Sequence, residues 1–376
     1  MKLALLGAFP FPVPQGSQIY FADQARALTR AGADVTAVTY GSGIGRAPSD
    51  IALVRAAARF APRRSAAGPA FAKPLADAAL LARWIGLTRR RHFDAVLAHN
   101  AEAAIVALAA RRFTGVPVVY VAHTVMRFEL PSYVSSGSAQ RIAPHLARLG
   151  AQVDRRIAKS CDALLALSES GARELGRYAR TPVEVIPPGL EARPPPAANV
   201  IEAACREVGL EPGGFALYAG NLDGYQDLEL LAAAADAARV PVVVATHASG
   251  AAPAPLKTLR MRDPETLRAL LHGAGVAVLT RRAEGGFPVK LLNYMEAGRA
   301  IVAFRGVAAT LEHRSSAWLL GADASPAEIG QALAALLTDR GRAADLGRGA
   351  RSVLDRRHAW PELARRTLAL AARCSR

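Results

Sequence analysis

The sequence predicts an α/β protein made of two doubly wound parallel sheets, one after the other along the chain. Three observations carry that prediction. Short aliphatic runs alternate with longer amphipathic stretches from end to end, the pattern written by strand–helix–strand units. The alternation stops at a proline-rich segment near the middle and then begins again. Finally, 376 residues, 51% hydrophobic and 21% charged, are enough to fill two cores.

In the first half, Leu3–Gly7, Val35–Tyr40, Ile51–Val54, Ala95–His99, Val118–His123, Ala163–Leu167 and Val183–Ile186 read as strands. Several are nearly continuous aliphatic runs, as expected where both faces of a sheet are covered. Helices are predicted over Ser17–Ala31, stopped by Gly32, over Glu102–Arg112, stopped before Gly115-Val116-Pro117, and over the long amphipathic stretch Ala139–Lys159. Pro187-Pro188-Gly189 and Arg193-Pro194-Pro195-Pro196 bracket a stretch that cannot be helical and reads as a linker. Strands resume at Phe215–Ala219, Pro241–Thr246, Leu256–Met261, Val276–Thr280, Ala300–Phe304 and Trp318–Leu320. Asp263 before Pro264 has the chemistry of an N-cap and first turn. From Pro326 to Arg373 the chain reads as helical, with one interruption near His358–Pro361. The division that follows is a first domain over 1–190, a second over 191–355, and a terminal helix over 356–376 packing back on the first.

Composition narrows the function classes. Cys161, Cys205 and Cys374 are odd in number, widely spaced and without a CxxC pair, which argues against a disulfide framework or a zinc site. The apolar start of MKLALLGAFPFPVPQG is short and runs into Pro10, Pro12 and Pro14, so it reads as a buried first strand rather than a signal peptide. No run approaches the ~18 apolar residues that span a bilayer, and a cytoplasmic protein, peripheral at the inner face of the membrane, is expected. The net charge is +16 and uneven. Residues 1–190 hold 24 Lys and Arg against 12 Asp and Glu, and residues 191–376 hold 23 against 19. Clusters at Arg59-Phe60-Ala61-Pro62-Arg63-Arg64, Arg89-Arg90-Arg91-His92 and Arg155-Arg156 suit an anionic partner or a generically solvated basic surface.

Ligands of doubly wound folds bind beyond the carboxyl ends of the strands, so the loops there hold the candidate residues. After the first strand, Pro10-Phe11-Pro12-Val13-Pro14-Gln15-Gly16-Ser17 opens a helix; Gly16 permits close approach of backbone, and the helix start at Gly16 and Ser17 offers free N–H groups to phosphate. His123 ends the strand begun at Val118 and lies at the same kind of edge. The most informative stretch is Thr280-Arg281-Arg282-Ala283-Glu284-Gly285-Gly286-Phe287-Pro288-Val289-Lys290-Leu291-Leu292-Asn293-Tyr294-Met295. Here a strand ends in a basic pair, an acid and two glycines, and Pro288 sits where a helix would begin. Lys290 then falls in the first turn, where its ammonium can fold back over exposed amides of Gly285 and Gly286, a cradle suited to a diphosphate. Asn293 one turn later is within reach of ribose hydroxyls, and Glu284 of sugar hydroxyls.

At these residues the chain resembles family 4 of the retaining GT-B glycosyltransferases, and the likeness spans nearly its whole length. Phe11-Pro12-Val13-Pro14-Gln15-Gly16-Ser17-Gln18 is similar to the family's glycine-loop entry, and Val118–His123 with Thr124 to the strand bearing its active-site histidine. Val185-Ile186-Pro187-Pro188-Gly189-Leu190-Glu191 resembles its interdomain segment, and Leu217-Tyr218-Ala219-Gly220-Asn221-Leu222 the opening of its donor domain. Gly286-Phe287-Pro288-Val289-Lys290-Leu291-Leu292-Asn293-Tyr294-Met295 is similar to its donor motif. The resemblance implies two Rossmann-like domains facing a central cleft and metal-independent transfer with retention, with no cofactor. The donor, a UDP- or GDP-sugar, would bind the second domain, and a glycan or lipid-linked acceptor the first. It implies Lys290 at the leaving-group charge, His123 at the transferred sugar and Glu284 at sugar hydroxyls. Gly16, Ser17, Asn221, Arg281, Arg282, Gly285, Gly286, Phe287, Pro288 and Asn293 would complete the donor site.

The chain also departs from the family's pattern. Gly285 and Asn293 occupy its two glutamate positions, with Glu284 one residue early, and Asn221 and Gln226 stand where an arginine and a lysine are usual. Neutralisation of the diphosphate then falls to Lys290 with Arg281 or Arg282. The same departures motivate the alternative of a catalytically impaired binding or scaffold subunit. No strongly placed acceptor base is visible; Glu129 in Arg127-Phe128-Glu129-Leu130 is either an acceptor contact or a helix cap. Residues 55–92 mix arginines with Phe60, Phe71, Leu80, Leu81, Trp84 and Ile85, a surface expected to lie on an anionic bilayer. Nucleic acid is not expected as a partner, since no helix-turn-helix, zinc or aromatic RNA-binding signature is present. Gly41-Ser42-Gly43-Ile44-Gly45 follows the second strand and lacks the dinucleotide spacing.

Overall fold

The computed structural model describes residues 1–13, 15–60, 73–134, 141–191, 193–261, 263–282 and 284–375. The readings that involve Pro14, residues 61–72 (with Arg63, Arg64 and Phe71) and Ala283 lie outside the described residues. The chain forms two compact units, one of Met1–Gly189, Gly285–Phe287 and Trp360–Arg376, the other of Leu190–Glu284 and Pro288–Ala359.

Among the described residues the first unit holds seven strands, β1 (Lys2–Gly7), β2 (Asp34–Thr39), β3 (Leu53–Arg55), β4 (Ala95–His99), β5 (Val118–Ala122), β6 (Ala163–Ala166) and β7 (Val183–Val185). They form one parallel sheet in the order β3-β2-β1-β4-β5-β6-β7. Period-two alternation sends neighbouring side chains to opposite faces, and both faces are buried. Leu3 and Leu5 pack with Phe21 and Leu28 of α1 (Gly16–Arg30) and Leu363 and Leu370 of α13 (Trp360–Cys374). Ala4 and Leu6 share the other core with Leu80 and Trp84 of α2 (Lys73–Thr88) and Ala103 and Ala107 of α3 (Asn100–Thr114). The strand order reverses between β1 and β4, where Gly7 pairs with His99, and α1 and α3 leave toward opposite faces.

The second unit repeats the plan with β8 (Ala216–Ala219), β9 (Val242–Thr246), β10 (Lys257–Arg260), β11 (Val276–Leu279), β12 (Ala300–Phe304) and β13 (Trp318–Leu320), again parallel, in the order β10-β9-β8-β11-β12-β13. Tyr218, Val244, Val278 and Val302 point into a core shared with Leu231 of α8 (Leu228–Ala238) and Ile329 and Leu333 of α11 (Pro326–Thr338). The order reverses between β8 and β11. Asp263 caps α9 (Pro264–Gly273) as its sequence predicts, accepting the amides of Glu265 and Thr266.

Several boundaries differ from the sequence reading. β5 ends at Ala122, so His123 is the first residue beyond the strand. α1 starts one residue early, at Gly16, with Gln15 as N-cap. The helix after the glycine pair, α10 (Lys290–Glu296), starts at Lys290 rather than Pro288, because Pro288 and Val289 enter through single tight turns, their carbonyls accepting from Leu291 and Leu292. The C-terminal stretch breaks at Asp339 as well as near His358: Asp339 sits at φ −91°, ψ 83° between α11 and α12 (Arg340–Arg357), and its carboxylate caps the amide of Arg342. Of the described apolar residues of 55–92 expected on an exposed surface, Leu80, Leu81, Trp84 and Ile85 pack into the core instead. Leu80 and Trp84 have 0% exposure, and Leu81 and Ile85 pack against the same core. The i, i+4 spacing of Leu80 and Trp84 aims both at the sheet. No helix among the described residues is long and apolar enough to cross a membrane.

Candidate functional site

In the first unit the carboxyl edges of β1, β4 and β5 gather the candidate residues. α1 leaves β1 with an uncapped first turn: Gln15 makes no side-chain cap, no acid lies in that turn, and Gly16 and Ser17 are exposed. The loop before it is pinned by the stretch after β2, since the Phe11 amide donates to the Ser42 carbonyl (2.8 Å) and that of Ile44 to Pro12 (2.7 Å). The Gly41–Gly45 run thereby acquires a packing reason: a Cβ on Gly43 would stand 2.3 Å from the Phe11 oxygen.

His123 is 8% exposed and meets a second histidine, its Nε2 lying 2.9 Å from Nδ1 of His99, which ends β4 with no exposure. Tyr20 of α1 packs edge-on to the His123 ring at 5.2 Å and stacks on Trp360 of α13 at 5.9 Å. Phe21 closes over His99 at 4.8 Å. Burial pushes the His123 pKa down to about 3. Burial, with the neighbouring His123 second, pushes His99 well below its ordinary value. Both rings are therefore neutral near pH 7. Gly285–Phe287 belongs to this unit. Gly285, at φ +97°, donates its amide to Ser170 Oγ (3.2 Å), and a Cβ there would meet the Phe128 ring. A Cβ on Gly286 would come within 2.8 Å of the His123 carbonyl oxygen and 2.7 Å of Thr124 Cγ2. The glycine pair thus serves close packing against the strand end that carries His123. Phe287 packs on the core beneath α1. Glu129, in α4 (Met126–Ser132), accepts the Tyr133 hydroxyl at 2.5 Å, while α4 is capped by Asp154, which accepts the amides of Met126 and Arg127.

In the second unit the β8–β11 reversal holds Lys290. Its ammonium donates to the Tyr218 hydroxyl (2.7 Å) and Gln226 Oε1 (3.0 Å), and sits 4.1 Å from the Tyr218 ring centroid. Gly220 makes room, for a Cβ there would stand 2.4 Å from Nζ. Burial, then the charge of Arg281, pushes the Lys290 pKa down to about 7, against the opposing pull of Asp223. Gln226 is itself fixed, its side-chain amide donating to Asn221 Oδ1 (3.0 Å) and its backbone carbonyl accepting from the Thr280 hydroxyl (2.8 Å). Asn221 Nδ2 donates to Asp223 and, at 3.3 Å, to the Tyr225 hydroxyl, over whose ring Arg281 lies at 5.5 Å. Asn221 and Gln226, in the places of two cations, hold the lysine and its loop.

The remaining residues part company. Arg282 is directed to the carbonyls of Ala322 and Ala324 (3.0 Å each), with Asp227 at 3.5 Å, and lies over the Phe304 ring. Glu284 is exposed and its carboxylate rests on Gly306, where a Cβ would be 2.1 Å from Oε1. Asn293 is exposed one turn beyond Lys290, and Pro288 is buried. Sequence reasoning missed His99, Tyr20 and Trp360, and assigned no partner to Lys290. A signal for His99 was present: it ends the Ala95 run just as His123 follows the Val118 run, and adjacent parallel strands bring such ends together.

The description "Glycosyltransferase Family 4" matches residues 14–193, and "Glycosyl transferases group 1" matches residues 216–339. The chain belongs to the family 4-like, group 1 glycosyltransferases. Its two parallel-sheet α/β units are those of the GT-B fold. Sucrose-phosphate synthase from Thermosynechococcus elongatus superposes with a TM-score of 0.80 at 16% identity, over 99% of this chain and 98% of that one. HepE of Anabaena, in complex with UDP and glucose, gives 0.73 at 15%, over 98% of each chain. WaaG, a glycosyltransferase involved in lipopolysaccharide biosynthesis, gives 0.67 at 16%, over 98% of this chain and 99% of the other. No curated protein matches the chain by sequence.

Proposed function

We propose that this glycosyltransferase moves a sugar, with retention and without a metal, from a nucleoside diphosphate sugar (UDP- or GDP-linked) to a glycan or lipid-linked acceptor. The observation that carries the reading is the Lys290 amine held by Tyr218 and Gln226 at the β8–β11 reversal. Reversals of this kind are where doubly wound sheets bind nucleotides. The complex of the structurally similar HepE with UDP and glucose supports the same donor class.

In the reaction the bond from the sugar C1 to the phosphate oxygen breaks, and the acceptor oxygen bonds C1 on the same face. The acceptor proton leaves with the phosphate. Charge grows on the departing diphosphate, and a positioned cation stabilises what develops there. Lys290 fills that role, with Arg281 as a second cation. Glu284 and Asn293 meet hydroxyls of the sugar and ribose, and His123 contacts the transferred sugar.

The test is turnover of a panel of UDP- and GDP-sugars with glycan and lipid-linked acceptors, beside Lys290→Ala. The variant is expected to lose roughly 100-fold or more in kcat. The departures at Gly285 and Asn293 favour a second reading, a binding or scaffold subunit without turnover. Stabilisation by UDP or GDP with no transfer would select it; no response to any nucleotide would overturn both.

A further inference from the structure

The buried histidine pair has a direction. His99 Nδ1 and His123 Nε2 are 2.9 Å apart, so one carries the proton and the other accepts it. His99 Nε2 is fully buried with no partner, and Phe21 and Tyr20 pack against the ring. If His123 donated, His99 would be left with a sealed, orphaned N–H. If His99 donates, only a lone pair is left unmatched. Orphaned buried N–H groups are the rarer and costlier of the two. His123 turns Nε2 to His99, which leaves Nδ1 as its other ring nitrogen, and His123 keeps 8% exposure. Both rings are neutral through burial, so neither can donate from both nitrogens.

We propose that His99 is a positioning residue that donates Nδ1–H to His123 Nε2, fixing His123 as the Nδ1–H tautomer and hence as a neutral hydrogen-bond donor to an oxygen of the transferred sugar. The sugar contact rests on the proposed transferase function; the tautomer does not. The arrangement makes His123 a reader of hydroxyl oxygen rather than an acid or base. A sugar lacking the matching hydroxyl loses that bond, and the diphosphate contacts are untouched.

Histidine-selective nitrogen-15 NMR of the unliganded full chain tests this without activity. His123 is expected to show a protonated Nδ1 and a bare Nε2, unchanged from pH 8 to pH 5. His99→Phe keeps an aromatic ring and removes the donor, and is expected to release His123 from the Nδ1–H form. His99→Asn places an amide N–H near the lost Nδ1 and is expected to restore it. Under turnover, His99→Phe is expected to lower kcat/KM about tenfold, the scale of one hydrogen bond, with UDP affinity unchanged and the Asn variant close to wild type. A His123 protonated at Nε2 in the wild-type chain would overturn the proposal even if His99→Phe failed to fold. So would an unaltered tautomer in His99→Phe. Absence of transfer with the expected spectra would refute the transferase reading alone.

Discussion

Replacing Lys290 with methionine should stabilise the protein at pH 7 and destabilise it at high pH. The unfolded lysine titrates near 10.5 and the folded one at about 7, chiefly because burial disfavours its charge. Between those values the unfolded chain binds more protons, so stability rises with pH across that window and is flat below it. The charge therefore costs the native state about 4 kcal/mol at pH 7 and less than about 1 kcal/mol at pH 10.5. Against this stand the hydrogen bonds to Tyr218 and Gln226, worth about 1 kcal/mol each. Lys290→Met removes both the cost and the bonds. A gain of about 2 kcal/mol is expected at pH 7 and a loss of similar size at pH 10.5. In a unit of this size that is a change of about 4–8 °C in apparent melting temperature. Differential scanning calorimetry of both proteins across pH 7–10.5 reads it directly. A methionine variant that melts below wild type at pH 7, or a difference that keeps its sign to pH 10.5, would refute the reasoning.

The same lysine predicts that donor binding takes up a proton above pH 7. UDP affinity should weaken by about tenfold per unit between pH 8 and pH 10, with proton uptake seen by calorimetry in buffers of different ionisation heat, and Lys290→Met should lose that slope. Trp84→Ala should cost about 3–5 kcal/mol through the cavity it leaves in the first unit, read as a lower melting temperature with UDP binding retained. Arg148, Arg155, Arg156 and Lys159 of α5 (Ala143–Ser160) are exposed, and the peripheral association expected from the basic first half is predicted to use them. Binding to anionic vesicles at low salt should fall when Arg155, Arg156 and Lys159 are replaced by glutamate, and equal binding by the variant would remove α5 from that role.

The departures from the family pattern gain a physical meaning in the second unit. Asn221 and Gln226 bring no charge to a diphosphate. They instead form the relay through which Lys290 is held, Asn221 fixing Gln226 and Gln226 accepting from the amine. Two cations at those places would add repulsion to a lysine already disfavoured by burial. Arg282, paired with carbonyls of the β13–α11 loop, acts on that loop's conformation, and Arg281 remains beside Tyr225 near the lysine.

The amino-acid sequence by itself determined the two parallel sheets, their strands and helices such as α1, α3 and α9. These follow from local rules: period-two and period-3.6 burial, and stop residues such as Gly115, which ends α3 at φ 65°. It also marked His123, just past the end of a strand run, and Lys290, in the first turn of the helix that follows a glycine pair. Only the tertiary structure decided what those residues touch. His99 meets His123 because β4 and β5 are neighbours in the sheet, and Tyr20 and Trp360 close around them from α1 and α13, far apart in the chain. Trp84 turned from a surface candidate to a core residue for the same reason. Its fate depends on which face of α2 meets the sheet, and composition alone does not carry that information. Charge state followed burial as well: Lys290 and His123 lost their ordinary pKa values through desolvation that long-range packing imposes.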